Sequence, residues 1–267
     1  MQAMFRCFVP AMLLVAALGS GAQAQPAAPA PEAPEPGAEL PTDRPGFNAP
    51  ATVVGRGVVQ IEMGWSTVHG RDGLNGSVGP QPLLRIGATD HLEFEFTSAG
   101  LAAACVIKCD WHGTDIAAGA RYVLPVTPLG ISLAMTGLLS VPTGSQAFTS
   151  EHLDPLGIVH VDRAFGPIGV SYNYIATRIH DEDGEVAATR SGHGLNVGTS
   201  IGRWAPFVNF GWRPVHVDGR APVLAEAGLA YRLARDVQLD VSATRGLNAA
   251  EAMWSLSAGI VLRHRPR

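Results

Sequence analysis

The sequence predicts an all-β chain, an antiparallel transmembrane β-barrel of about twelve strands, and three observations predict it. Stretches of roughly ten residues repeatedly alternate apolar with polar or small residues, which is the period of an extended strand and not of a helix. The connections between those stretches alternate long with short. An export signal stands ahead of them all.

The leader decides which solvent the chain meets. Arg6 precedes an apolar run over residues 8–18 and then Ala22-Gln23-Ala24, the pattern of a secretory signal peptide cleaved after Ala24. Residues 1–24 are therefore read as the leader; its apolar run is too short for a helical span, which needs about 20 residues. Residues 25–41, "QPAAPAPEAPEPGAELP", are rich in Pro and Ala and have no periodicity. Such a segment buries too little apolar surface to fold, and it is read as an extended periplasmic arm. Residues 42–267 form one domain, the barrel.

The strands follow in order. "VVQIEMGWST" places Val59, Ile61, Met63 and Trp65 on one face. "PLLRIGATDHLEFEF" is two strands around a Thr89-Asp90-His91 turn, with Leu84, Ile86, Ala88, Leu92, Phe94 and Phe96 on one face and Arg85, Glu93 and Glu95 on the other. "DIAAGARYVL" and "ISLAMTGLLSV" come next, then "LGIVHVD" with "IGVSYNYIA", "HGLNVGTSI" with "PFVNFGW", "VLAEAGLAYRL" with "VQLDVSA", and finally "MWSLSAGIVLR". The connections over 70–80, 99–114, 142–155, 177–191, 213–221 and 244–252 are long, and those between them are a few residues each. Outer-membrane barrels have this ordering, with short turns on the periplasmic side and longer loops outside. Both termini then lie in the periplasm. A soluble β-sandwich shares the alternation but predicts no two-class ordering of loops. Its solvent face would carry Lys, Thr and Glu, where this chain has Gly, Ala and Ser with isolated Arg and Glu.

In a barrel the apolar rows face lipid and the other rows face the lumen. Glu62, Arg85, Glu93, Glu95, Arg121, Glu226, Arg232 and Asp240 then point inward as candidate lining of a substrate path. Opposite charges in a narrow lumen pair between neighbouring strands, either fixing the register or shaping what passes. An unpaired charge there would be costly. Trp65, Tyr122, Tyr172, Tyr174, Trp204 and Trp254 are the candidates for the interfacial girdles.

Other chemistries find little support. A net charge of −4 without a long basic run gives no nucleic-acid footprint. Cleavage removes Cys7, leaving Cys105 and Cys109 as an even pair in an oxidising compartment, which favours a disulfide over a metal pair completed by Asp110 and His112. "IHDEDGE" lacks the full ligand set of a calcium loop. His69, His112, His160, His180 and His193 have no metal-site spacing, so neither metal nor cofactor is expected. Ser191, His193 and Asn196 in "SGHGLN" are the candidates for a lipid hydrolase. No G-x-S-x-G elbow accompanies them, and alternation puts Asn196 on the face opposite the other two, so the chain is not read as an enzyme.

Thr42-Asp43-Arg44-Pro45, Gln60-Ile61-Glu62-Met63-Gly64, "LLRIGATDHLEFEF", "DIAAGARYVL", Val141-Pro142-Thr143-Gly144 and "AYRLARDVQLDVSATRGLN" resemble the family called "Putative MetA-pathway of phenol degradation". The resemblance spans nearly the whole mature domain. It implies a Gram-negative outer-membrane barrel, a channel or transporter for small hydrophobic or aromatic compounds. Membrane lipid and the outer-membrane assembly machinery would be its partners. A structural or adhesive surface barrel with a closed lumen is the alternative. The chain departs from the pattern at Gly46, where many relatives carry an acidic residue. It departs again in "GIVLRHRPR", where a basic extension follows Leu262 in place of the usual terminal aromatic. Asp43 and Arg44, directly before the first strand, are expected to fold into the periplasmic mouth and join the lumen charges.

Overall fold

The computed structural model describes residues 40–266 apart from 45, 72, 74, 106–108, 126–127, 181–185 and 215–219. The expected leader, and the expected arm up to residue 39, lie outside the described residues. Seven β-segments come first: β1 (Val59–His69), β2 (Asn75–Gly79), β3 (Leu83–Gly87), β4 (Leu92–Ser98), β5 (Leu101–Cys105), β6 (Cys109–Gly113) and β7 (Ile116–Val123). Eight follow: β8 (Ile131–Val141), β9 (Asp154–Phe165), β10 (Ile168–His180), β11 (Val186–Thr199), β12 (Trp204–Trp212), β13 (Val223–Ala234), β14 (Val237–Gly246) and β15 (Trp254–His264).

All pairings are antiparallel, and β1 pairs with β15 along its whole length, from Val59 opposite His264 to His69 opposite Trp254. The sheet therefore closes on itself, and among the described strands β6, at the end of the β2–β5–β6 branch, keeps one unpaired edge; the closure removes the sandwich alternative. Three wall strands are each broken in two. β1 is flanked by β3 along its first half and by β2 along its second. The same division carries on from β3 to β4 to β7 and from β2 to β5 to β6. The fifteen segments thus make a twelve-stranded barrel. The breaks fall where the chain cannot continue a ladder: Pro80 and Pro82 have no amide donor, and Gly100 sits at φ +81°.

Three expected loops are shorter than the sequence suggested. β2, β5 and β6 occupy much of 70–80 and 99–114, while β10 runs to His180 and β11 starts at Val186. These extensions keep their backbone pairing but are rich in Gly, Ser and Ala, so the period-two apolar signal ends before the ladder does. Cys105 and Cys109 stand opposite each other in the β5–β6 ladder; their side chains, and with them the expected disulfide, lie outside what is described.

Alternation along the strands sorts the two faces. Phe94 and Phe96 are exposed on the outer surface, whereas Arg85, Glu93 and Glu95 are buried inside. Ile61, Tyr122, Met135, Val208, Phe210, Val241 and Leu262 continue the outer apolar surface. Tyr122, Phe165 and Trp204 mark its short-turn end, where the Trp204 ring lies 4.4 Å from Tyr231. Trp65 and Trp111, 5.3 Å apart, mark the long-loop end. Phe96→Arg, which puts a charge on the outer apolar face, is expected to cost up to about 2–4 kcal/mol, the cost of a lipid-facing arginine at the bilayer midplane. A lowered urea midpoint of the folded barrel in lipid vesicles checks this; an unchanged midpoint would mean that the face does not meet lipid.

Candidate functional site

The lumen is not empty. Residues 40–44 and 46–55 enter it and wind around the inner wall as a strap before β1 begins. Leu40 and Pro41, which the compositional boundary assigned to the arm, belong to this strap. Leu40 is fully buried, and its N–H donates to Gln238 of β14 at 3.2 Å. The Pro41 carbonyl accepts from Gln60 at 3.0 Å and Arg263 at 2.9 Å. A Pro-rich segment that cannot fold by itself can still be held at its end, because proline leaves its carbonyl free to accept and lumen side chains supply the donors.

The centre of the site is a cluster of buried charges on β1, β3, β4 and β7, with Asp43 of the strap among them. Arg85 pairs with Glu93 at 2.7 Å, Glu62 at 3.2 Å and Asp43 at 3.3 Å. Arg121 grips both oxygens of Asp43 in a fork and lies 2.9 Å from Glu95. Register explains the company, since Arg85 sits opposite Glu95 and Arg121 opposite Glu93 across neighbouring strands. Burial by itself raises the Asp43 carboxyl, and the Arg121 and Arg85 guanidinium groups outweigh it, holding Asp43 well below the usual carboxylate range. Glu62 receives the Asp43 N–H at 3.0 Å, the Arg44 N–H at 3.1 Å and the Thr42 hydroxyl, so Thr42-Asp43-Arg44 wraps one carboxylate. Pro45, the last residue of that motif, lies outside the described residues.

Arg44 has its own seat. Gly64 of β1 faces Gly259 of β15, which in turn faces Asp240 of β14. The guanidinium lies on the two glycines, where a Cβ would come within 2.0 Å and 2.2 Å of it, and donates to Asp240 and to Ser257, each at 3.1 Å. Other glycines make room for the strap in the same way: Gly194 for Asn48 and Gly211 for Phe47. The small lumen residues are floor for a strap, a role that their alternation does not disclose.

The rest of the strap is held by neutral groups and single carboxylates. The Val54 N–H donates to Glu93 at 2.7 Å and the Ala51 N–H to Asp162 at 2.7 Å. Arg121 donates to the Thr136 hydroxyl at 3.0 Å, which lies 2.9 Å from His160 Nε2, while His160 Nδ1 lies 3.1 Å from the Ala49 carbonyl. The Asn173 amide nitrogen lies 2.6 Å from the same Nδ1 and donates to the Ala49 carbonyl at 2.9 Å, so Thr136, His160 and Asn173 together hold the strap backbone at Ala49. Gln60, Thr136, His160, Asn173, Asn209 and Gln238 also face the lumen, with Asp162 and Arg263; parity marks them in the sequence, but most carry no charge, and Asp162 and Arg263 stand where the apolar alternation ends.

Two of the expected lumen charges stand apart from the cluster. Glu226 accepts from Asn209 at 2.8 Å, and Arg232 at the short-turn rim donates to the Arg235 carbonyl at 2.6 Å. The backbone and the neighbours of Gly46 both keep that position to glycine. It sits at φ +96°, and a Cβ there would fall 2.4 Å from the Asn209 amide and 2.9 Å from Glu226. Gly46→Glu is expected to destabilise the barrel by about 1–3 kcal/mol from the backbone conformation alone, with like-charge repulsion adding to it. Heat-induced unfolding followed on gels checks this, and an unshifted transition would show that the strap can leave its seat without cost.

The Ser191, His193 and Asn196 trio is not assembled. His193 is on the outer face, with Nδ1 2.7 Å from the Tyr172 hydroxyl and the ring stacked on Trp212 at 4.7 Å. Asn196 points inward and donates to Asn209 at 2.7 Å. The group that would orient the imidazole is on the other side of the wall.

No curated protein matches the chain in sequence. Among solved structures, the COG4313 outer membrane channel from Pseudomonas putida F1 is similar at a TM-score of 0.61 and 14% identity, covering 80% of this chain and 98% of that one. The KdgM porin is similar at 0.55 and 9%, covering 77% and 99%. At these identities the likeness concerns the fold alone, the barrel of outer-membrane proteins. The family described as "Putative MetA-pathway of phenol degradation" matches residues 42–264, and the chain belongs to it.

Proposed function

We propose that the barrel is a Gram-negative outer-membrane channel for small hydrophobic or aromatic solutes, with its short turns and both termini on the periplasmic side. The observation that carries this is the division of the lumen by the strap. A cavity of about 520 Å³ lies toward the long loops and one of about 490 Å³ toward the short turns, and Arg44 borders both. Phe47 lines the first and Phe207 the second. Both rings lie by β12, across the lumen from the charge cluster, so a solute has an aromatic side to follow.

In this reading Arg85, Glu93, Glu95, Arg121 and Asp240 shape the path by holding the strap and do not bind the solute, while Glu62 both holds the strap and borders the outer cavity. Glu226, which borders the outer cavity, meets the solute directly. A closed structural barrel is the competing reading, favoured by the number of strap contacts that fill the centre. Purified full-length protein in planar bilayers separates the two. Small, discrete conductance steps are expected; a heat-modifiable, folded barrel that gives none would leave the closed barrel standing.

A further inference from the structure

The basic extension that follows Leu262 finds its place at the short-turn rim. Arg263 reaches Gln60 at 2.6 Å and the Pro41 carbonyl at 2.9 Å, while its N–H donates to the Asp236 carbonyl in the β13–β14 turn at 2.9 Å. Arg265 pairs with the Asp236 carboxylate at 2.7 Å. The same turn carries Arg235, whose carbonyl accepts from the Arg232 guanidinium, and the Arg232 N–H donates at 2.8 Å to the carbonyl of Arg203, the residue before β12. Arg203, Arg232, Arg235, Arg263 and Arg265 thus gather at the short-turn ends of β12 to β15, where Asp236 is the one carboxylate among the described residues. Arg235 and Arg265 both add like charge beside Arg232.

The compensation is incomplete. Arg232 bonds to a carbonyl, Arg263 to the strap and Arg265 to Asp236, whereas Arg203 and Arg235 are exposed and their guanidinium groups meet no partner among the described residues. Next to them on the outer face the Trp204 and Tyr231 rings lie 4.4 Å apart, Leu239 stands opposite Tyr231, and Leu233 and Leu262 are exposed beside them. Cations at the edge of an apolar outer face with an aromatic pair are suited to a lipid. Acyl chains cover the apolar face, Trp and Tyr mark the headgroup level, and a phosphate takes paired hydrogen bonds from a guanidinium. Net charge then selects among lipids, because a zwitterionic headgroup brings its own ammonium to a place already crowded with cations.

We infer that this patch of the outer wall, Arg203 and Arg235 beside Trp204 and Tyr231, is a binding site for an anionic glycerophospholipid. The inference takes from the proposed function only the leaflet that supplies the lipid, the periplasmic one, and does not depend on whether the lumen conducts.

Full-length barrel in neutral detergent, titrated with phosphatidylglycerol or phosphatidylcholine of the same acyl chains, tests the site, with bound lipid counted by native mass spectrometry. Phosphatidylglycerol is expected to bind about twentyfold more tightly. Arg235→Gln should weaken it about fivefold, and Arg203→Gln with Arg235→Gln should bring it to the level of phosphatidylcholine. Arg163→Gln is the control: it removes a charge from the same rim on β9, where the guanidinium lies 4.9 Å from the centre of the Phe165 ring, and it should leave binding unchanged. Heat-modifiable migration on gels verifies that each variant is folded. Equal affinity for the two lipids overturns the site. So does an equal loss in Arg163→Gln and Arg235→Gln, which would reduce the patch to diffuse attraction by the rim. Glycerol phosphate at millimolar concentration should not displace the lipid; displacement would show that the phosphate alone is held, and would overturn the lipid as its ligand.

Discussion

Arg85→Met is expected to lower the stability of the folded barrel by about 3–5 kcal/mol, the range for removing one partner of a buried ion pair. The arginine is fully buried and serves Glu93, Glu62, Asp43 and the carbonyls of Pro41 and Thr52 at once. Methionine keeps much of the volume but leaves Glu62 and Glu93 without their main counter-charge in a confined space. The urea midpoint in lipid vesicles reports the loss. Adding Glu93→Gln removes one of the stranded charges, so the double variant should be less destabilised than the sum of the singles by about 0.5–3 kcal/mol. An unchanged midpoint in Arg85→Met, or strictly additive effects, would show that the cluster does not hold the barrel together.

That cluster also shows how far the sequence carries. Which face each residue occupies was legible: Arg85, Glu93 and Glu95 alternate with Phe94 and Phe96, and a strand has only two faces to choose between. The strap was legible only as a hint from Asp43 and Arg44. Its contacts join residues such as Arg44 and Asp240, 196 positions apart, and it has no period because its backbone bonds to side chains and not to a neighbouring strand. Leu40 and Pro41 were misassigned for the same reason, since composition measures what a segment can bury by itself and is blind to a cavity supplied by the rest of the chain. The lumen glycines stand out in the sequence, but what they make room for does not. A crowded lumen and a seat for a guanidinium demand the same small residues, and only the position of Arg44 over Gly64 and Gly259 separates the two explanations.

Displacing that guanidinium is expected to join the two cavities and raise the single-channel conductance severalfold. Gly64→Ala does this from the wall side, because its Cβ would fall 2.0 Å from Arg44 Nη1 while Gly259 closes the other side. Arg44→Ala does it from the strap side. Gly137→Ala in β8 is the matched control, since nothing lies within 4 Å of the added Cβ. Asp43 anchors the strap independently, and its pH dependence can be worked out. Its folded-state value is depressed, so its contribution to docking is fully present above the unfolded value of about 3.9 and is lost only as the pH falls below that. Conductance of the parent protein should therefore not rise through loss of the Asp43 anchor between pH 7 and pH 5, whereas Asp43→Asn should raise it at pH 7 by freeing Arg121 and Arg85 from the strap. If Gly64→Ala, Arg44→Ala and Asp43→Asn all conduct like the parent, ions pass by a route that the strap does not control, and the division of the lumen has no bearing on permeation.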